Sequence, residues 1–420
     1  MFGDSMKNNK KILMYIYLIF LFITPIIVMC TNLFNINFVY VWYIPVMFGF
    51  VLIPFFINKK IFSKKNILLF ILYLILLISC LMSKDKLLTI IGGYYRFEGY
   101  ITWLMFLICF YFGTQLKEKE KLRKLLILLV CVATFFSIIM NFRGSFICKL
   151  FALDPSIYYF YSGPFDHFNH TAYYLLIVLI VSIYLFMSGS NKKHQIINYI
   201  FYFILTYTFI INDTFGAYLS YLFILFILLV YFIKHKENLK KYLLLFITFL
   251  ILSGITYRDG FFVVYRNITY TLEDAEILIN KKSTREELYS IGTDRGLLWS
   301  KGFEYIKKRP IIGYGLENVA YNFYYDGIPT DKPHNILIEL TLDAGIFFMI
   351  TFFLIVIVIL YYNMKHFNNI TLYVKYSMLI VIGYLINSLL GNITYSVTPY
   401  FFLFLGICAQ PYYEGANEKK

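Results

Sequence analysis

Residues 331–340, Asp-Lys-Pro-His-Asn-Ile-Leu-Ile-Glu-Leu, set a histidine and an asparagine at the mouth of a long apolar run that Glu339 and Asp343 then enter. Pro333 suits the first turn of a helix, which places His334 at a helix N-terminal end, where the positive dipole disfavours the imidazolium. A neutral ring there can take a proton from a hydroxyl, the work of a general base. Arg295 and Arg96 offer planar, permanently charged forks for phosphate oxygens, and Arg96 stands two residues ahead of Glu98. A further polar group, Asp166, His167, Asn169 and His170, precedes another apolar run. A base with phosphate-binding arginines, and no carboxylate set suited to a metal, fits displacement of a phosphate leaving group.

Each of these groups also has a plainer reading. Arg96 and Glu98 suit an interfacial ion pair at a helix end, and His167 and His170 suit rings lying at headgroup level. Lys307, Lys308 and Arg309 suit anionic headgroups or solvent. Glu339 and Asp343 lie four apart, on one helix face. Ionisable groups inside a membrane helix are costly and usually functional, the alternative being a pair with a neighbouring helix.

The elements that must hold these residues are membrane helices. The chain has 420 residues, 60% apolar, 21% aromatic and 15% charged, a balance that excludes a water-soluble globule. A helix crosses a bilayer core of roughly 30 Å with about 20 apolar residues. Twelve runs approach that length, near 12–31, 38–57, 66–82, 100–116, 122–141, 168–189, 195–211, 214–233, 241–257, 335–362, 372–390 and 397–412. The first follows Lys10 and Lys11 without a small-x-small cleavage site, so it is expected to stay as an anchor.

A net charge of +14 raises the question of nucleic acid, and its distribution answers it. With a cytoplasmic amino terminus, the inner segments carry 22 of the 38 Lys and Arg, the five short outer segments carry 5, and one long segment, 258–334, carries 11. That is the positive-inside pattern, from which long translocated loops are exempt. The basicity is therefore topology, and no nucleic-acid partner is implied. Both termini are expected in the cytoplasm and the long loop outside. The six cysteines have no metal or redox spacing: Cys30, Cys80, Cys109, Cys131 and Cys408 fall in or beside apolar runs, and Cys148 in an outer loop.

No repeat of fixed period and no separate soluble domain is visible, so residues 1–420 read as one all-α polytopic membrane domain with 258–334 inserted. Within that loop, Thr-Leu-Glu-Asp-Ala-Glu-Ile-Leu-Ile-Asn-Lys-Lys has helical spacing. Residues 293–310 predict an amphipathic helix capped by Thr293 or Asp294, with apolar positions Leu297, Leu298, Phe303 and Ile306, ending at Pro310. Gly313 and Gly315 then permit a turn. Under this topology the candidate residues fall on the outer side, where they are expected to line one outward cavity.

Two stretches, Asp-Arg-Gly-Leu-Leu-Trp-Ser-Lys-Gly-Phe-Glu-Tyr-Ile-Lys-Lys-Arg-Pro-Ile-Ile-Gly-Tyr-Gly and His-Asn-Ile-Leu-Ile-Glu-Leu-Thr-Leu-Asp-Ala-Gly, resemble the signature region of the O-antigen ligase and polymerase superfamily, here spanning 286–350. The residues that carry the resemblance are Arg295, Trp299, Pro310, Gly313, Gly315, His334, Asn335, Glu339 and Gly345. The resemblance implies a GT-C-like fold in the bacterial cytoplasmic membrane. It also implies an inverting, metal-independent glycosyl transfer without cofactor, from an undecaprenyl-pyrophosphate-linked glycan to a glycan, lipid or protein hydroxyl. By analogy Arg295 steadies the pyrophosphate and His334 activates or orients the acceptor, while Arg96, Glu98, Asn169, His170, Asn335 and Glu339 bind substrate. The sequence departs from the family at one position, since Phe215 stands where many members carry an arginine, and Arg96 is a candidate replacement. A lipid-oligosaccharide flippase and a membrane scaffold or sensor are the competing classes. A transporter is expected to show internal repeats and broken helices.

Overall fold

The computed structural model describes residues 2–34, 36–56, 64–93, 96–141, 163–165, 167–189, 191–236, 238–256, 261–279, 284–328 and 330–415. Cys148, Asp166 and residues 280–282 of the expected loop helix lie outside the described residues. The described residues are helical and contain no strand. In chain order the α-helices are α1 (Phe2–Met29), α2 (Phe38–Phe56), α3 (Ile67–Leu81), α4 (Lys86–Ile91), α5 (Tyr100–Gln115), α6 (Lys119–Asn141), α7 (Phe168–Met187), α8 (Lys192–Ile211) and α9 (Phe215–His235). Then come α10 (Leu239–Ile255), α11 (Phe261–Ile279), α12 (Arg285–Lys308), α13 (Val319–Tyr325), α14 (Ile336–Ala344), α15 (Ile346–Lys365), α16 (Leu372–Ser388) and α17 (Thr398–Glu414).

Seven stretches are long and apolar enough to cross a membrane: Asn9–Met29, Val39–Phe56, Lys119–Asn141, Phe168–Met187, Lys192–Ile211, Phe215–His235 and Ile346–Lys365. Shorter apolar helices, α3, α5 and α16, pack among them. The protein is thus an all-α polytopic membrane protein. Its centre is α7, buried from Thr171 through Met187 and surrounded by α6, α8, α9 and α16. A helix apolar on every side belongs in such a position. α5 crosses α17 where two glycines meet. A Cβ on Gly113 would stand 2.1 Å from the Leu403 carbonyl oxygen, and one on Gly406 would stand 2.0 Å from that of Phe110. Small residues let membrane helices approach this closely.

The expected single helix over 335–362 is two. Gly345 breaks it with φ +84°, and a Cβ there would lie 1.9 Å from the Ile311 carbonyl oxygen. The space belongs to the turn that follows α12. Tyr314 N donates to the Leu342 carbonyl at 2.7 Å, Gly315 N to that of Asp343 at 2.9 Å, and Ile346 N to that of Pro310 at 2.8 Å. Peptide groups orphaned by the break are satisfied by this turn, which is why an interrupted helix persists among buried neighbours. At about 1.5 Å per residue, the nine residues of α14 span about 14 Å, half of a bilayer core.

The segment between α10 and α14 is also more regular than expected, since it carries the long helices α11 and α12. α12 begins at Arg285 under a capping box of Thr284 and Glu287, not at Thr293 or Asp294. The expected start instead coincides with an interruption, because Gly292 and Asp294 take left-handed φ of +64° and +68°. Leu298, Tyr305, Val319, Phe323, Ile338 and Leu342 form a small core that docks α12 and α13 on α14. Phe303, expected on that face, is exposed.

Candidate functional site

Three of the sequence-derived residues converge on the turn at 389–392, between α16 and α17. Arg295, from α12, donates through Nη2 to the Leu390 carbonyl at 3.3 Å. Asn335 donates through Nδ2 to the Leu389 carbonyl at 3.1 Å, while its Oδ1 caps the Leu337 and Ile338 amides of α14. His334 Nδ1 lies 3.1 Å from Asn392 Nδ2. Trp299, one turn along α12 from Arg295, donates to the Pro333 carbonyl at 3.1 Å and ties the helix to the residue before His334.

The ring of His334 is kept neutral, as expected, but for a different reason. α14 starts at Ile336 with Asn335 as its cap, so Pro333 and His334 lie outside the helix, and His334 adopts φ +51°. Burial pushes the imidazole pKa down to about 4, and the charges of Arg295 and Arg96 add to the effect. A non-glycine residue held left-handed stores strain that surrounding contacts must offset, a feature that clusters at functional sites.

Arg295 has no carboxylate partner among the described residues, and burial disfavours its charge. A half-buried guanidinium in that condition suits an anionic ligand. Arg96 is differently placed. Its guanidinium grips Asp331 with Nε–Oδ2 at 2.5 Å and Nη2–Oδ1 at 2.8 Å, so the fork that was a candidate phosphate contact is already occupied. At the position that departs from the family pattern, Phe215 opens α9. An arginine from another element stands close by, with Arg266 of α11 pairing Asp213 at 3.1 Å.

Glu98 and Glu339 do not line the surface around His334. They enclose Lys332, whose ammonium contacts Glu98, Glu339 Oε1 at 2.6 Å and the Ile393 carbonyl at 2.9 Å. Their remaining oxygens accept from the Tyr395 amide at 3.1 Å and the Ile393 amide at 3.0 Å. Burial works against the Lys332 ammonium, but Glu339 and Glu98 overcome it and hold the pKa above its usual value. Glu317 sits beside them, accepting from the Gly93 and Glu98 amides, with its carboxyl pushed up to about 7 by burial and by Glu98. A cavity of about 430 Å³ opens between Lys332, Glu317, Asp343, Trp103 and Tyr321. His334 and Arg295 lie outside its lining. Asn169 and His170 are half-buried at the start of α7, where the His170 ring lies 5.1 Å from that of His167.

Lys332 and Asn392 were missed by sequence reasoning. The acidic residues beside apolar runs were a usable signal for Lys332, because they needed a cation and the nearest was next to Pro333. Asn392, in Leu-Leu-Gly-Asn-Ile, carries no such signal.

Residues 200–353 match the family model described as O-antigen ligase. The match supports the O-antigen ligase superfamily, and with it ligase- or polymerase-type glycosyl transfer in general, between a lipid-linked glycan donor and a glycan acceptor. It spans Arg295, His334, Asn335, Glu339 and Gly345, while Arg96, Glu98, Asn169, His170 and Asn392 fall outside it. No curated protein matches the chain.

Proposed function

We propose that the protein transfers a glycan from an undecaprenyl-pyrophosphate carrier to an acceptor hydroxyl on the outer face of the cytoplasmic membrane. His334 removes the hydroxyl proton and Arg295 meets the charge that develops on the departing pyrophosphate. The observation that carries this is the meeting, on the 389–392 turn, of a half-buried imidazole kept neutral by burial and a guanidinium that has no carboxylate partner among the described residues. A general base must be unprotonated at working pH, and a leaving phosphate needs a fixed cation that is not spent elsewhere. Attack by the hydroxyl on the face opposite the pyrophosphate inverts the anomeric centre. Arg295 takes the part a metal ion has in other transferases, so the transfer requires none. Asn335 orients His334 by capping the helix that follows, and Arg96, Glu98 and Glu339 hold the 331–334 segment in place. Asn169 and His170 at the start of α7 line the acceptor side.

The test is complementation of a deletion strain with wild type, His334→Ala and Arg295→Ala at matched protein levels, with lipid-linked oligosaccharide measured on each side of the membrane. Loss of surface glycan with donor accumulating outside is expected for both variants, and product length then separates polymerase from ligase. The break at Gly345 favours a second reading, transport, because interrupted helices are a transporter feature. Donor retained on the cytoplasmic side would select it.

A further inference from the structure

Asn392 is buried, with 6% of its surface exposed. Its amide nitrogen faces His334 Nδ1 at 3.1 Å, while its Oδ1 is enclosed and has no hydrogen-bond partner among the described residues. Its position is held from both sides. Next in the chain, Ile393 donates its N–H to Glu339 and accepts at its carbonyl from Lys332, and Lys332 is itself two residues from His334. One buried ion cluster therefore sets both ends of the His334–Asn392 contact.

The contact has a chemical consequence. A neutral imidazole has one N–H and one lone pair, and the partner of one nitrogen decides which is presented by the other. With Nδ2 donating to Nδ1, the ring proton is on Nε2 and neither ring nitrogen has a free lone pair. A half-turn of the amide about its own Cβ–Cγ bond brings Oδ1 to Nδ1, which then carries the proton and leaves the Nε2 lone pair free. The same half-turn carries Nδ2 into the enclosed position that Oδ1 now holds, so it exchanges which end of the amide is paired and leaves the His334 tautomer as the difference between the two arrangements.

We infer that Asn392 is a positioning residue that fixes the tautomer of His334, its Oδ1 accepting from Nδ1–H in the working enzyme so that Nε2 is the base. This rests on the proposed role of His334. A third group that orients the base recurs wherever a histidine does acid–base work.

The test uses the full-length protein in nanodiscs with ¹⁵N-labelled histidine, His334→Gln serving to assign the His334 signals. Asn392→Leu keeps the volume and removes the hydrogen bond; Asn392→Asp keeps an acceptor and cannot donate. Wild type and Asn392→Asp are expected to show neutral His334 protonated on Nδ1, and Asn392→Leu to show the proton on Nε2 or shared. Transfer is assayed with the lipid-linked oligosaccharide that accumulates in a deletion strain as donor and envelope extract of that strain as acceptor. Asn392→Leu is expected to lower the rate about 10²-fold or more. Asn392→Asp is expected to retain it while moving the acidic limb of the pH profile upward. The groups whose charges act on His334 are Arg295, Arg96, Asp331 and His167, and the new carboxylate adds to Asp331 in favouring the imidazolium. A wild-type ring protonated on Nε2, or a folded Asn392→Leu with wild-type tautomer and pH profile, overturns the inference. If His334→Gln is inactive in that case, the base role stands without it; if His334→Gln is fully active, both fall.

Discussion

Lys332 Nζ stands 2.6 Å from Glu339 Oε1, and both residues are more than nine-tenths buried. With Glu98 and the Ile393 and Tyr395 amides, they join the segment before α14 to the start of α17 and to the approach to α5. Removing one partner of a buried ion pair costs about 3–5 kcal/mol, because the other charge is left uncompensated. Total stabilities are about 5–15 kcal/mol. Lys332→Met is therefore expected to abolish recovery of monodisperse protein in detergent, and Glu339→Leu to act in the same direction. A Lys332→Met protein that purifies and melts like wild type would show that the cluster contributes little.

How far the sequence discloses this arrangement depends on whether a feature is local. Apolar length and the distribution of Lys and Arg are local, and the helices named from them recur, with α2, α3, α5 and α7 matching within a residue or two. The break at Gly345 is not local. Residues 335–362 hold no proline and are mostly apolar despite Glu339 and Asp343, so they read as one helix, and what splits them is a turn 30 residues earlier whose amides donate to the Leu342 and Asp343 carbonyls. Residue type also pointed to His334, Arg295 and Asn335, because few side chains do acid–base or phosphate chemistry. It did not say which charges were already spent. Arg96 read either as a phosphate contact or as the partner of Glu98, because Asp331, which it pairs with, lies 235 residues away in the chain.

His334→Ala is expected to leave expression and thermal stability close to wild type, since a half-buried side chain outside any helix contributes little packing. Transfer should fall by about 10² to 10⁴, the usual worth of a general base. Because His334 has φ +51°, His334→Asn is the cleaner control, asparagine being tolerant of the left-handed region. Retention of more than about a tenth of the rate in both variants, measured on purified protein, would remove His334 from the chemistry.

Gly345→Ala should disturb the site from a distance. The new methyl would meet the Ile311 carbonyl at 1.9 Å on a backbone at φ +84°, so the 310–315 turn must withdraw and expose the carbonyls it now satisfies. Lower thermal stability and loss of transfer are expected together, read by the melting midpoint in detergent and by complementation. A stable, active Gly345→Ala would show that α14 and α15 can join into one continuous helix.

With His334 as the proposed base, the pH dependence of transfer follows from the surroundings of that residue. Its pKa is pushed down to about 4 by burial, then by Arg295 and Arg96, so the ring is neutral throughout the physiological range. The rate is expected to be flat from pH 5.5 to 8 by that value and to fall only as the pH drops toward about 4, where protonation removes the base. Arg295→Gln removes the positive charge that acts most strongly on the ring. The imidazolium then becomes easier to form, and the acidic limb moves to higher pH, in addition to the fall in rate expected from losing the proposed phosphate contact. Arg295→Lys keeps the charge without the fork, so it should keep the limb near its original place while losing rate. Residual activities of the three proteins across pH 4 to 8 separate the two roles: a limb that stays put in Arg295→Gln would mean that Arg295 acts on the donor alone and that its charge does not reach the base.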